Sequence, residues 1–237
     1  MRRLWIADVH ANLPAFEAVL RDAGEVDDIV FLGDIVGFGP HPAECVDLLW
    51  ELDALAIAGN HDVEVLCAPP PSESQSGPVN WLHWTRAQLE DDHLLYIEAL
   101  PADTTVQSGF GEVSAIHHPV AAPYLHPAMP DAVLADWCRA TPGAVVAFAH
   151  SHRAMDRAVD GRRLICLPAV GQPRDGDPRA GYALEVDGAL SFHRAAYDVE
   201  QVVADVRAIG LDASFTERWI AFLRTGYDPE WSRPYRQ

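Results

Sequence analysis

Short apolar runs alternate with helical periodicity over the first 62 residues of the chain. Apolar runs at residues 4–7, 29–32 and 55–58 predict three buried strands, and the segments between them repeat apolar positions as amphipathic helices do. Asn12 suits the N-cap of the first helix, and Gly24 is expected to end that helix. This β-α-β-α-β order predicts parallel strands joined by right-handed crossovers.

The middle of the chain departs from this pattern at about residues 68–98. Its first part is rich in proline and serine, which predicts an inserted loop, and its second part predicts one helix with Asn80 as its cap. A long loop in a compact domain is often functional, so the insert is a candidate lid. Trp81 and Trp84 lie on the predicted helix and fit packing better than a platform for stacked bases.

The second half of the chain is rich in predicted strands and closes with helices. A hairpin is expected to turn at Asp187 and Gly188. Two helices are predicted at about 198–226, and the second is expected to open with a capping box from Ser214 to Glu217.

Length and composition narrow the classes of protein that remain. The chain is long enough for one sizeable core, and we expect a single domain over residues 1–237. A formal net charge of −18 argues against duplex nucleic acid as a partner. No apolar run is long enough to cross a membrane and no signal peptide is evident, so we expect no membrane partner and a cytoplasmic location. The four cysteines form no C-x-x-C pair, which indicates reduced thiols; the oligomeric state stays open.

Polar side chains follow the predicted strands at the points where the strands end. They are carboxylates, imidazoles and one amide, at Asp8, His10, Asp34, Asn60, His61, Asp62, His117, His150 and His152. The carboxyl ends of strands in an open α/β sheet border one crevice, so we expect these side chains to converge. On extended backbone, the Asp-x-His and His-x-His pairs would each place both side chains on one side of the strand.

This donor set indicates a transition-metal site. Carboxylate oxygen and imidazole nitrogen without thiolate suit Mn, Fe, Ni or Zn, whereas calcium would favour more oxygen. Because the donors outnumber the three or four protein ligands of one zinc ion, two divalent ions fit better. Two such ions about 3.5–4 Å apart would activate a bridging water for attack on phosphorus and would clamp phosphoryl oxygens.

As an ordered set, the motifs resemble the calcineurin-like metallophosphoesterase superfamily, and more narrowly its small bacterial and archaeal phosphodiesterase branch. They are D-x-H at 8–10, G-D at 33–34, G-N-H-D at 59–62, the strand-end His117, H-x-H at 150–152 and the late segment 170–186. The resemblance implies a fold of the α/β class, a four-layer α/β/β/α sandwich of two mixed sheets.

The resemblance also implies a distribution of metal ligands over two divalent transition-metal ions. One ion would be held by Asp8, His10 and His152. The other would be held by Asn60, His117 and His150, with Asp34 bridging the two.

We therefore expect a metal-dependent phosphoesterase that acts on phosphodiesters or on small phosphomonoesters such as nucleotides. His61 would stand beside the ions and donate a proton to the leaving oxygen or stabilise its charge, and Asp62 would brace the imidazole or the turn. Arg174 is a candidate phosphate contact because its guanidinium matches phosphate oxygens, although it could instead pair with Asp175 or Asp177. The alternative enzymes are a protein phosphatase and a dinucleoside polyphosphate hydrolase. A non-catalytic scaffold of the same fold is a third alternative, and the complete ligand set disfavours it.

Three places depart from the usual pattern of that family. Ala149 replaces the glycine before H-x-H, a mild change if its φ stays negative. His118 replaces the glycine after the strand-end histidine, and an exposed loop residue is favoured over a spare ligand or a substrate contact. Residues 166–170 replace an Asn-Pro-Gly-Ser turn, which affects the expected shape of the substrate pocket more than metal binding. The remaining histidines are expected on the surface: His41, His83, His93, His126 and His193.

Overall fold

The computed structural model describes residues 1–68, 77–118, 125–139, 141–229 and 232. The strands are β1 (Arg2–Ile6), β2 (Asp28–Phe31), β3 (Leu55–Ala56), β4 (Asp103–Ser108), β5 (Gly111–Ile116), β6 (Val145–Phe148), β7 (Met155–Val159), β8 (Arg162–Cys166), β9 (Ala180–Val186) and β10 (Ala189–Ala195). The helices are α1 (Leu13–Ala23), α2 (Pro42–Glu51), α3 (Asn60–Leu66), α4 (Gly77–Gln88), α5 (Asp91–Ala99), α6 (Asp131–Cys138), α7 (Val199–Ile209) and α8 (Ala213–Thr225).

The strands form two mixed sheets of five strands each. The first sheet has the order β10-β9-β1-β2-β3, and its β1, β2 and β3 are parallel, as the β-α-β-α-β pattern predicts. Strands β9 and β10 extend this sheet as an antiparallel hairpin. The second sheet has the order β4-β5-β6-β8-β7, with β5, β6 and β8 parallel and the two edge strands antiparallel to their neighbours.

The two sheets pack face to face with helices outside them. Buried side chains of the first sheet, such as Trp5 and Val30, meet side chains of the second, such as Val113 and Ile165, in one inter-sheet core. Helices α1 and α2 cover the outer face of the first sheet, and α6 contributes Leu134 to a core on the outer face of the second. The predicted four-layer α/β/β/α sandwich is therefore confirmed.

The predicted insert differs from its expected form. It contains two helices, α4 and α5, and α4 begins at Gly77, so Asn80 lies inside that helix and does not cap it. Trp81 is fully buried and its ring centroid lies 5.9 Å from that of Trp219 in α8, which confirms a packing role. Residues 69–76, the greater part of the predicted loop, lie outside the described residues.

The predicted ends of α1 are confirmed. The Asn12 side chain accepts a hydrogen bond from the Ala15 amide at 3.2 Å, so it caps the helix, and Gly24 follows the last helical residue. The hairpin between β9 and β10 turns at Asp187 and Gly188, as predicted, with φ values of 49° and 83°.

The predicted capping box at Ser214 is wrong. Helix α8 begins two residues earlier than a Ser214 cap would place it, because the Asp212 carboxylate accepts a 2.7 Å hydrogen bond from the Phe215 amide. An aspartate and a serine both suit the N-cap, and the side chain that reaches an open amide determines the first residue of the helix.

Two features bear on the expected environment of the protein. Within the described ranges, no helix has the length and apolar character needed to cross a bilayer. Cys45, Cys67 and Cys166 are free thiols, which agrees with the expectation from their spacing.

Candidate metal centre

The strand ends converge at one edge of the sandwich through tightly linked loops. The Asp8 amide donates to the Gly33 carbonyl at 2.9 Å, and the His10 amide donates to the Asp34 carbonyl at 3.0 Å. The His61 amide donates to Oδ1 of Asp34 at 2.8 Å. The loops after β1 and β2 and the start of α3 are therefore held at fixed mutual distances.

The backbone at these strand ends is left-handed and not extended, so the expectation from strand alternation is wrong. The φ values are 55° for Asp8, 48° for His10, 60° for Asp34, 65° for His150 and 59° for His152. A non-glycine residue in this region costs about 1–2 kcal/mol relative to right-handed backbone. Such strain is concentrated at functional sites in known proteins, and here it turns the side chains towards one point.

The first group of potential ligands consists of Asp8, His10, Asp34 and His152, whose ligand-type atoms all lie within 4.8 Å of one another. His10 Nε2 is 3.2 Å from His152 Nε2 and 3.7 Å from Asp34 Oδ2. His152 Nε2 is 3.4 Å from Asp8 Oδ1. All four residues are buried.

The second group contains Asp34, His117 and His150, also with ligand-type atoms within 4.8 Å of one another. His117 Nε2 is 3.2 Å from Asp34 Oδ2, and His150 Nδ1 is 2.8 Å from Oδ1 of Asn60. Asn60 thus adds a neutral oxygen to this group. Asp34 belongs to both groups of potential ligands.

Several ligand-type atoms are buried without a hydrogen bond of normal geometry among the described residues. They are both carboxylate oxygens of Asp8, Oδ2 of Asp34 and Nε2 of His117. An unsatisfied buried polar atom costs about 1–3 kcal/mol, and more if it is charged. Divalent cations would satisfy these atoms, so the residues present fit a metal centre.

Two of the histidines are oriented by backbone carbonyls. His117 Nδ1 lies 2.6 Å from the carbonyl oxygen of Leu32, and His152 Nδ1 lies 2.5 Å from that of Gln172. A proton on Nδ1 would be donated to the carbonyl, which leaves the Nε2 lone pair directed at the ligand group. This pattern is common around metal-binding histidines. The role of the Gln172 carbonyl could not be anticipated from its side chain.

Burial and neighbouring charges shift the pKa values of several groups in this centre. Burial, opposed by His117, raises the pKa of Asp8 to about 7. Burial would lower the pKa of His117, but the Asp34 carboxylate outweighs it and raises that pKa to about 10. Burial would raise the pKa of Asp34, but the charges of His117 and His61 hold it below the ordinary value. Burial lowers the pKa of His150 to about 3, and His117 adds to this effect.

Asp62 braces the turn and not the neighbouring imidazole. Its buried carboxylate accepts backbone hydrogen bonds of 2.8–3.2 Å from the amides of Asp34, Ile35, Val36 and Gly59. It therefore ties the loop after β2 to the first turn of α3. At Gly59 a Cβ atom would collide with the backbone and carboxylate of Asp34, so this close approach requires glycine.

His61 stands at the border of the ligand groups. Its ring centroid is 5.0 Å from that of His10 and 4.9 Å from that of Phe38, with edge-to-face geometry in both contacts. Gly37 has a φ of 108°, and a Cβ atom there would lie 2.9 Å from His61 Nδ1. Sequence reasoning missed Gly37 and Phe38, although the G-F-G pattern after the Asp34 loop is a recognisable signal.

Arg174 lies near the first ligand group. Burial lowers the pKa of His152, and the charge of Arg174 adds to this effect. The Arg174 guanidinium donates to the Gln172 side chain at 3.1 Å. The two aspartates proposed as alternative partners pair with other arginines: Asp175 with Arg194, and Asp177 with Arg179.

Two expectations about histidines are wrong. His118 is half-buried, with its ring centroid 4.3 Å from that of His150, and is not an exposed loop residue. His93 is 8% exposed and pairs with Asp47 at 3.0 Å, so it is not a surface residue. The change at Ala149 is mild, as expected, because its φ is negative.

The sandwich and the strand-end ligand groups are features of a metal-dependent phosphoesterase. The family model of the calcineurin-like phosphoesterase superfamily domain matches residues 1–188, and the chain belongs to this superfamily. The predicted resemblance is thereby confirmed.

Relatives come from bacteria and archaea. A metallophosphoesterase from Sphaerobacter thermophilus is 36% identical, with a TM-score of 0.74 and coverage of 95% of this chain and 99% of that one. A hypothetical protein from Pyrococcus horikoshii has a TM-score of 0.81 and covers 95% and 98% of the two chains; at 19% identity it supports the fold alone. An uncharacterized protein of Methanocaldococcus jannaschii is 30% identical over 219 residues, which are 83% of this chain and 88% of that protein.

Proposed function

We propose that the chain is a dinuclear metal-dependent hydrolase of phosphodiesters or small phosphomonoesters. The observation that carries the proposal is the sharing of Asp34 by two adjacent groups of potential ligands. Asp8, His10 and His152 would hold one divalent ion, and Asn60, His117 and His150 the other. Nitrogen and oxygen donors without thiolate suit Mn, Fe, Ni or Zn.

The protein would contribute proton transfer, positioning and charge to the hydrolysis. When bound, a pair of divalent ions supplies a water of lowered pKa and neutralises charge on phosphoryl oxygens. In the hydrolysis, water would supply a hydroxyl group to phosphorus, and the bond from phosphorus to the leaving oxygen would break as that oxygen takes up a proton. His61 would donate this proton, because its ring lies beside that of His10 and it belongs to neither ligand group. Arg174 would bind phosphoryl oxygens through its guanidinium.

The charge of the protein favours a compact substrate. With a formal net charge of −18, the surface would repel a long polyanion, while bound cations would attract a small phosphate ester locally. We propose a small phosphorylated molecule as the substrate and the cytoplasm as the compartment, where free thiols such as Cys67 stay reduced.

Metal reconstitution tests this proposal. Metal-stripped protein is loaded with Mn, Ni, Co, Zn or Mg, its metal content is measured by elemental analysis, and hydrolysis of aryl phosphodiesters, aryl phosphomonoesters and nucleotides is followed. We expect two equivalents of a transition metal and hydrolysis that depends on it. Folded protein that takes up metal and hydrolyses none of these esters would contradict the proposed function.

The Asp34→Asn variant tests the shared carboxylate. An amide in place of a bridging carboxylate weakens binding of both ions, so we expect fewer than two equivalents of metal. The exposed Glu98→Gln variant removes a carboxylate on α5 and should retain both. Two full equivalents in Asp34→Asn would exclude bridging by this residue.

A further inference from the structure

A cavity of about 130 Å³ lies next to His61. Among the described residues, those that line it are Gly37, Phe38, His61, Glu64, Pro78, Val79 and Leu82. They come from the loop after β2, from α3 and from α4, so the insert helix forms one wall. The mechanism described above uses only His61 of these residues.

His61 borders the ligand groups and also belongs to the lining of the cavity. One contact of that ring is with His10 in the first ligand group, and the other is with Phe38 in the cavity wall. If a phosphoryl group is held at the ligand groups, one of its ester substituents can therefore reach the cavity. The proton that His61 would donate goes to the oxygen of that substituent.

The lining is apolar except at two places. Phe38, Val79 and Leu82 present hydrocarbon, whereas hydrogen bonds are available from His61 and from the half-exposed Glu64. A carboxylate at the wall disfavours an anionic substituent. A cavity of about 150 Å³ in another protein accommodates benzene, so the size here corresponds to a single ring or a short branched chain.

The walls of the cavity are fixed by the fold. Phe38 has a φ of 62°, which is rare for an aromatic residue, and its ring centroid lies 5.7 Å from that of Phe215 in α8. Helix α4 is anchored through buried Trp81, which packs on Trp219 of the same α8. The C-terminal helix thus supports two walls of the cavity and keeps them in place beside His61.

We propose that this cavity is the subsite for the leaving group of the substrate, and that it takes an uncharged apolar group of about one ring. The inference rests on the proposed function and narrows its substrate class to phosphoesters of small apolar alcohols. Nucleosides fit less well, because a base would meet apolar side chains and one carboxylate where it needs several hydrogen-bond partners.

Binding of two non-hydrolysable phosphonates tests the subsite. Zinc-loaded protein is titrated with phenylphosphonate and with methylphosphonate, both followed by calorimetry and by ¹³C-methyl NMR of Val79 and Leu82. We expect phenylphosphonate to bind at least about tenfold more tightly, because its ring is buried. We also expect it alone to shift the two methyl signals. A Leu82→Trp variant fills the cavity and should remove most of this preference, whereas Gln88→Trp on the exposed face of α4 should retain it.

The possible outcomes separate the subsite from the proposed function. Equal affinity for the two phosphonates without methyl shifts would overturn the subsite and leave the metal-centred function intact. Binding of neither phosphonate by protein that retains its zinc would overturn both. If Leu82→Trp unfolds, Leu82→Phe serves the same purpose, and an unchanged preference in a folded cavity-filling variant contradicts the proposal.

Discussion

The contact between Gly37 and His61 leads to a quantitative prediction for the Gly37→Ala variant. The new Cβ atom would lie 2.9 Å from Nδ1 and 3.0 Å from Cγ of His61, where ordinary contacts begin at 3.4 Å. The imidazole must therefore move by about half an ångström. The φ of 108° adds backbone strain, because L-residues rarely adopt it.

The expected loss of stability has two parts. The positive φ should cost about 1–2 kcal/mol, and the overpacking against His61 about 1–3 kcal/mol more. The total is about 2–5 kcal/mol in the free energy of unfolding. A displacement of about 1 Å in an active site can reduce turnover about a hundredfold, so the smaller shift of His61 should reduce kcat about tenfold.

Gly111→Ala is a matched control for the part of the stability loss that comes from the positive φ. Gly111 has a φ of 112°, close to that of Gly37, but a Cβ atom there meets nothing within 4 Å. This residue opens β5 at the β4–β5 hairpin. Gly111→Ala should therefore lose only about 1–2 kcal/mol and keep its turnover.

Urea unfolding of the two variants and of the original protein, with steady-state kinetics on an aryl phosphodiester, measures both quantities. The difference between the two variants isolates the contact with His61. Equal losses of stability in the two variants, together with unchanged kcat in Gly37→Ala, would refute the reasoning.

Three further results are expected. His61→Ala should keep both metal equivalents and reduce kcat at least about tenfold, because a proton donor is lost while the ligands remain. Arg174→Gln should raise KM about tenfold, since a charge-assisted hydrogen bond to phosphate is worth about 1.5–3 kcal/mol. Loading metal at pH 7 should release at least about one proton, because the raised pKa values of His117, about 10, and Asp8, about 7, keep protons at the centre that the metal must displace. The apparent metal affinity should accordingly rise with pH and fall on acidification.

Each of these results has a contrary outcome. Loss of metal from His61→Ala would make this residue a ligand and not a proton donor. An unchanged KM in Arg174→Gln would remove the arginine from substrate binding. Calorimetric titration of metal in buffers of different ionisation enthalpy gives the proton count directly, and a count of zero would mean that His117 is already neutral in the metal-free protein.

The sequence predicts the layout of the centre because the topology of a parallel sheet places the carboxyl ends of its strands at the same edge. Parallel β1, β2 and β3 must bring Asp8, Asp34 and Asn60 to one edge, whatever the details of the loops. The order of motifs then identifies the family, which carries the two-sheet arrangement that periodicity alone does not reveal.

The sequence-based predictions that were wrong concern backbone conformation and helix capping, which the periodicity of apolar positions does not encode. Asp8 and His150 have left-handed backbone, which a pattern of apolar and polar positions does not reveal. Asp212 and Ser214 are equally good N-caps by residue type. The folded structure decides between them, because the Asp212 side chain accepts the hydrogen bond from the Phe215 amide.

The cavity beside His61 was also beyond the reach of sequence analysis. It is lined by Phe38 from the loop after β2 and by Leu82 from α4, two residues far apart in the chain that come near one cavity only in the folded protein. Pockets built in this way require knowledge of packing, whereas ligand groups at strand ends require only knowledge of topology.

Anomalous diffraction from crystals of the manganese- or zinc-loaded protein tests the central claim most directly. We predict two peaks on either side of the Asp34 carboxylate, one beside His10 and His152 and the other beside His117 and His150. A single peak away from Asp34, or well-folded protein without any peak at these histidines, would contradict the two-metal centre.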